Sequence, residues 1–200
     1  LRENPCNRPL RRLDLLLFQQ TIPAAAGEAL LAATDNLRSL RWLAIIGDGA
    51  KAVVDAVLPH LRYLSVHQCP GITEMDLARD APNLRTLGQY CFHSTGLTKI
   101  TFPPPPPARD DDGSRAVAGT SSSSRISGQR RGKLRIFGSA FEECRRLTHL
   151  DLTHVELVNG GHQFGSDTPA LTAVLFPTTL RFLGDGCFCN STSLATLDLS

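Results

Sequence analysis

One tryptophan, two tyrosines and one methionine are all that 200 residues hold of these types, and lysine occurs only at Lys51, Lys99 and Lys133. With aromatics this scarce, leucine must fill most of any core. No run approaches the ~18 consecutive apolar residues of a membrane-spanning helix, so no span is expected. The formal net charge is only +2, which gives bulk electrostatics no part in binding nucleic acid or a membrane surface. Of the 21 basic residues, 18 are arginine, a bias that carries no functional signal by itself. Signatures of chemistry are missing too. There is no G-x-x-x-x-G-K-[ST] loop and no G-x-S-x-G elbow. The triplet Asp110 to Asp112 lacks the spacing of a calcium loop. Histidines 60, 67, 93, 149, 154 and 162 are scattered, and Cys187 and Cys189 have no Cys/His partners at zinc-ligand spacing. No catalytic residue, metal or cofactor is therefore expected. The chain starts at Leu1 and stops inside a repeat, so it reads as a fragment, and the absence of a leader carries no weight.

What is present is repetition. "LRIFGSAFEECRRLTHLDLT" from Leu134 and "LRFLGDGCFCNSTSLATLDLS" from Leu180 each place Gly four residues after Leu. Phe follows shortly, and after it L-x-x-L-x-L. "LRTLGQYCFHSTGLTKITF" from Leu84 is a third copy, and "LTAVLFP" from Leu171 carries a fourth ladder. Leu147, Leu171 and Leu194 are 24 and 23 residues apart. L-x-x-L-x-L predicts a short strand whose alternate side chains point inward, with stacked neighbours burying a common leucine column. Gly138 and Gly184 suit a tight turn on the return path, and Phe92, Phe141 and Phe188 are expected to plug the wide end of each wedge.

Leu97 and Leu147 lie 50 residues apart because "PPPPPARDDDGSRAVAGTSSSSRISGQRRGK" (103–133) intervenes. Its composition cannot bury enough apolar surface to offset ordering entropy, so a disordered insertion at one turn is expected. Upstream, "LRRLDLLLF", "LRWLAII" and "LRYLSVHQCPGIT" repeat the ladder from Leu10, Leu40 and Leu61, separated by the helical patterns "AAAGEALLAAT" and "GAKAVVDAVLPH". Between Leu61 and Leu97 the register is open, because "ITEMDL" from Ile72 also reads as a strand. Three segments result: repeats over 1–102, the insertion at 103–133, and further repeats of the same solenoid over 134–200.

These repeats resemble leucine-rich repeats, and those of the C-terminal half resemble the BspA-like type. "LFPTTLRFLGDGCFCNSTSLATLDL" and "FGSAFEECRRLTHLDL" carry the resemblance, which extends from Leu84 onward outside the insertion. "LRYLSVHQCPGIT" is similar to the cysteine-containing repeat of ubiquitin-ligase substrate adaptors. The resemblance implies an α/β leucine-rich-repeat solenoid: a curved parallel β ladder with helices or irregular turns on its convex side. It also implies a non-enzymatic surface that binds other proteins. Cys144 stands at the cysteine position of the BspA-like pattern and Cys69 at a comparable one, while Cys187 precedes its Phe as Cys91 does. All are expected as buried free thiols acting as small hydrophobes, with a lean toward an intracellular location and the cell surface left open. "NST" at Asn190 is a glycosylation sequon that would imply secretion if used.

"LAIIGDGAKAVVDAV" (43–57) has the outline of a dinucleotide loop. Gly47, Gly49 and Ala52 fit its first part, but no carboxylate follows the next strand. It is expected to be one more rung, with Asp48 capping the helix that ends before Pro59. In a single ladder the residues between the leucines share the concave face, and they are the candidate partner-binding set: Trp42, Tyr63, Lys99, Thr101, His149, Asp151, Leu175, Thr196 and Asp198. Trp42 and Tyr63 would be neighbouring aromatic anchors. The expected function is non-catalytic recognition of a protein or peptide, not nucleic acid. The alternatives are a ubiquitin-ligase substrate adaptor and a nucleotide-dependent enzyme built on Gly47-Asp48-Gly49.

Overall fold

The computed structural model describes residues 11–14, 21–32, 39–104, 133–158 and 165–199. Apart from its flanks at Pro103, Pro104 and Lys133, the expected insertion lies outside the described residues, as does Cys6. Eleven strands and three α-helices are described. They run β1 (Arg12–Asp14), α1 (Ala24–Ala32), β2 (Trp42–Ile46), α2 (Ala50–Val57), β3 (Tyr63–His67), β4 (Glu74–Asp76), α3 (Leu77–Asp80) and β5 (Thr86–Leu87). The remainder are β6 (Lys99–Thr101), β7 (Leu134–Phe137), β8 (His149–Asp151), β9 (Val155–Val158), β10 (Ala173–Leu175) and β11 (Thr196–Asp198).

Every pairing is parallel. One sheet has the order β1-β2-β3-β5-β7-β9. On the other side β4 pairs β6, and β10 pairs both β8 and β11, with β6 lying against β8. Here the single-ladder expectation is corrected. From β3 to β10 each rung contributes two strands, one to each side, so the return path of these repeats is itself a strand; among the described residues the last rung contributes only β11. The open register between Leu61 and Leu97 closes the same way. "LRYLSV" supplies β3 to the six-stranded sheet, and "ITEMDL" supplies β4 to the opposite side.

Inward side chains stack in register. Leu13, Leu43, Leu64, Leu87, Ile136 and Leu157 form one column. Leu150 and Val174 form another, facing it across one continuous core, and Leu197 continues their register but is exposed on the last rung. The copies beginning at Leu84 and Leu134 are offset by one residue: Thr86 pairs Arg135, and Leu87 pairs Ile136 rather than Phe137. In β7 both Leu134 and Ile136 point inward, because alternate residues of a strand share a face, and Phe137 is left half-buried on the outside.

The N-terminal rungs return through helices. In α2, Ala50, Val53, Val54 and Val57 recur at helical spacing and are all buried, while Lys51 and Asp55 pair on the exposed face. The helix gives way at Leu58 to a single 3-10 turn containing Pro59. Asp48 does not cap it: Gly49 holds the N-cap position without a side-chain bond, and the Ala50 N–H is donated to the Gly47 carbonyl instead.

At the turns leaving the six-stranded sheet, Gln68, Ser94, Glu143, Asp167 and Asn190 adopt positive φ. The first four donate their N–H groups to the carbonyls of His93, Glu142, Ser166 and Cys189 on the next rung. This ladder, rather than Gly138 or Gly184, makes the tight turn, and neither glycine is left-handed. Beneath it Phe92 and Phe141 are buried and stacked, with centroids 5.7 Å apart, while Phe188 is partly buried and meets Phe176 edge-on at 5.9 Å.

Candidate functional site

The outer face of the six-stranded sheet begins with a column of Arg12, Trp42, Tyr63, Thr86, Arg135 and Glu156. Direct pairing of Trp42 with Tyr63 stacks their rings, with centroids 4.5 Å apart and planes at 10°. Arg12 Cζ covers the far side of Trp42 at 4.1 Å from the ring centroid, while its guanidinium also pairs with Asp14. Ala44 and Ser65 are small, buried neighbours in the next column. At Gly88 a β-carbon would collide with Tyr63 Oη. Small residues thus make room for the Tyr63 ring to lie over the sheet. Burial, followed by the neighbouring Cys91 thiol, raises the Tyr63 pKa above its ordinary value, against a hydrogen bond with Ser65.

Farther along the strands lies a polar cluster that the sequence reading missed. His67, Tyr90 and His93 meet edge-on, with centroids 6.0–6.3 Å apart. Ser65 Oγ lies 3.0 Å from His67 Nε2 and 3.2 Å from the Gln89 carbonyl, to which it donates. This Ser–His contact is not a nucleophile–base pair of any use, because Ser65 is only 1% exposed and His67 is a poor base. Burial, then the neighbouring His93, lowers the His67 pKa from 6.5 to about 4. The unfolded chain therefore takes up a proton near pH 6.5 that the folded chain refuses until about 4. Stability from this group is complete above 6.5, falls as pH drops, and levels off below 4. With allowance for solvent screening the loss is about 1–2 kcal/mol. Glu142 works in the opposite sense, since burial raises its pKa and folding gains as that carboxyl protonates. Comparing wild type with His67→Gln isolates the histidine: thermal midpoints read from pH 7 to pH 4.5 are expected to fall less steeply in the variant. Parallel curves would contradict the assignment.

The remaining candidates face the other way. Lys99 and Thr101 on β6, His149 and Asp151 on β8, and Thr196 on β11 are exposed. Leu175 and Asp198 are half-buried, and register joins His149, Ala173 and Thr196 in one column and Asp151, Leu175 and Asp198 in the next. The expectation of one shared face is thus corrected: Trp42 and Tyr63 stand on the six-stranded sheet, and the other seven residues on the opposite side. Both sets arise from L-x-x-L-x-L, whose local pattern is the same on either side. Asp151 is spent locally, accepting from the Thr153 N–H and hydroxyl.

The glycine loop is filled. Gly47 and Gly49 donate their N–H groups to the carbonyls of His67 and Ile22, and a β-carbon at Gly49 would collide with the Pro23 carbonyl. A phosphate cradle needs such N–H groups free and facing open space. Cys69, Thr95, Cys144, Thr168 and Ser191 fill equivalent buried turn positions on successive rungs. Thr95 Oγ1 and Cys144 Sγ reach the Phe92 carbonyl, and Thr168 and Ser191 reach that of Gly165. Burial pushes the Cys144 thiol up to about 12, so it is inert packing. In the sequon, Asn190 Nδ2 is held by Asp167 Oδ1 at 2.9 Å. Among the described residues no His, Cys, Asp or Glu group is arranged to hold a metal, and no helix is long and apolar enough to cross a membrane.

Stacked parallel rungs around a leucine core, with the candidate side chains on two outer faces, define a leucine-rich-repeat solenoid. The model of the BspA type leucine rich repeat region matches residues 65–195, with 6 copies, and the chain belongs to that family. No curated protein and no solved structure matches it. Repeat regions of this family are generally non-enzymatic scaffolds, commonly used for protein interaction.

Proposed function

We propose that the chain is a non-catalytic recognition module that engages a protein or peptide across the outer face of its six-stranded sheet. The single observation that carries this reading is the Trp42–Tyr63 stack. Two large amphipathic rings are half-buried and held parallel on small-residue ground, while the surrounding column stays polar. Rigid aromatics of this kind lose little conformational entropy on binding, and they dominate interface hot spots. Lys99, Thr101, His149, Asp151, Leu175, Thr196 and Asp198 form a second, mixed and polar face for the same partner or another. The expected result of affinity capture is loss of the principal partner when Trp42→Ala and Tyr63→Ala are combined, with the thermal midpoint checked in parallel. Unchanged partners and yields would remove the aromatic-anchor reading.

The ligase-adaptor reading is favoured by one feature, the strand–helix–strand rungs from β2 to β3 with Cys69 buried just beyond them. The same capture separates it: ubiquitin-ligase subunits among the retained proteins support an adaptor, and their absence counts against it. The nucleotide-enzyme reading has no open cradle to rest on.

A further inference from the structure

Six of the repeat segments begin Leu-Arg, and four of them align that arginine in one backbone column. Leu10-Arg11, Leu40-Arg41, Leu61-Arg62 and Leu84-Arg85 each follow the entry leucine with arginine. Backbone bonds place these arginines on consecutive rungs of the six-stranded sheet. The Arg41 N–H is donated to the Arg11 carbonyl at 2.9 Å, Arg62 to Arg41 at 2.7 Å, and Arg85 to Arg62 at 2.9 Å. Neighbouring strands run about 4.8 Å apart, so the four arginines stand along one edge at that repeat, with the Arg41 guanidinium donating to the Leu40 carbonyl at 3.0 Å. Arg11, Arg41 and Arg62 are exposed and Arg85 is half-buried. On the fifth rung Arg135 donates its N–H to the Arg85 carbonyl, and Lys133 is exposed beside it.

Elsewhere on this face positive charge is answered: Arg12 pairs with Asp14, and Arg135 stands 3.7 Å from Glu156. Among the described residues, Arg62 and Arg85 make no ion pair. Like charges held at rung spacing repel, and an anion laid along the edge relieves all of them together. With a net charge of only +2, the field is local to this edge rather than a property of the whole chain.

We propose that the arginine column is a docking edge for an extended acidic peptide, whose carboxylates are gripped chiefly by the guanidinium forks of Arg62 and Arg85, with Arg11 farther along the same edge. Guanidinium matches carboxylate in bidentate geometry. Single-stranded nucleic acid is the competing polyanion, and it needs open aromatic faces for its bases. Beside this edge the facing surfaces of Trp42 and Tyr63 are closed on each other, and Arg12 covers the far side of Trp42. The proposal names the partner chemistry for the recognition reading above, but it rests on different residues, so the two fail separately.

The test is fluorescence anisotropy on the full chain. Its probes are a labelled oligoglutamate, a Gly-Ser peptide and an oligothymidylate of the same length, each at low and physiological salt. Oligoglutamate is expected to bind in preference to both other probes and to weaken with salt. Combined Arg62→Gln and Arg85→Gln is expected to weaken binding about tenfold or more. Combined Arg145→Gln and Arg146→Gln, outside the column, should leave it unchanged. Thermal melts confirm that the variants fold, and Arg62→Lys with Arg85→Lys, which keeps charge but loses the fork, should fall between. Equal or tighter binding of oligothymidylate, indifference to the Arg62/Arg85 change, or no binding of oligoglutamate would overturn the proposal. So would tightening when Asp110, Asp111 and Asp112 are changed to Asn, since the chain's own acids would then be the occupant.

Discussion

Phe141→Ala is expected to destabilise the fold by about 3–5 kcal/mol, the range for emptying a buried phenylalanine site. The Phe141 ring is fully enclosed. It stacks on Phe92 at 5.7 Å and 22°, and meets Phe102 nearly edge-on at 6.4 Å. It therefore joins the rungs on either side of the insertion, where the strand pairing of β5 with β7 covers only two residues. Neither neighbouring ring can collapse into the gap without leaving its own turn. Denaturant unfolding followed by circular dichroism measures the loss, and Phe182→Ala, at a ring 59% exposed, provides a control expected to change little. A loss below about 1 kcal/mol for Phe141→Ala would mean that the aromatic turn column does not bind the rungs together.

Gly49→Val should cost about 2–4 kcal/mol, through crowding rather than loss of a ligand. Gly49 has an ordinary helical φ of −67°, so backbone strain is not the cause. The space is taken by the rung before it: any β-carbon would strike the Pro23 carbonyl and the Ile22 side chain, and the Gly49 N–H is already bonded to the Ile22 carbonyl at 2.8 Å. Gly27 on α1 is equally pressed against Gly49 from the other side. Hydrogen exchange in the variant should rise over residues 21–32 and stay unchanged over 84–104, because a stack transmits damage mainly to its nearest neighbour. A thermal-shift screen of the wild type with dinucleotides and nucleoside triphosphates should show no saturable stabilisation. Clear stabilisation that Gly49→Val abolishes would restore the enzyme reading.

Much of this was legible in the residues. The leucine period, the two helical patterns and the buried thiols of Cys69, Cys91 and Cys144 are local signals, and each appears where its spacing puts it, whereas Cys187 is only half-buried. Asp48 misled because the helix it precedes is seated by the adjacent rung rather than by a side-chain cap. The His67, Tyr90 and His93 cluster had no sequence signal. Its members are drawn from two rungs, and only the left-handed turns at Gln68 and Tyr90 bring their rings together. The arginine column was visible only as a bias in composition until the backbone bonds put its members side by side.

By itself the sequence determined that the chain stacks as a leucine-cored solenoid, since no single rung has enough apolar surface to stand alone and repetition supplies the rest. Only the tertiary structure decided which strands share a sheet, and therefore which of the candidate side chains meet. The physical reason is that L-x-x-L-x-L reads the same on either side of the coil. The side taken by a rung is set by the neighbour already stacked beneath it, which is information carried by no residue alone.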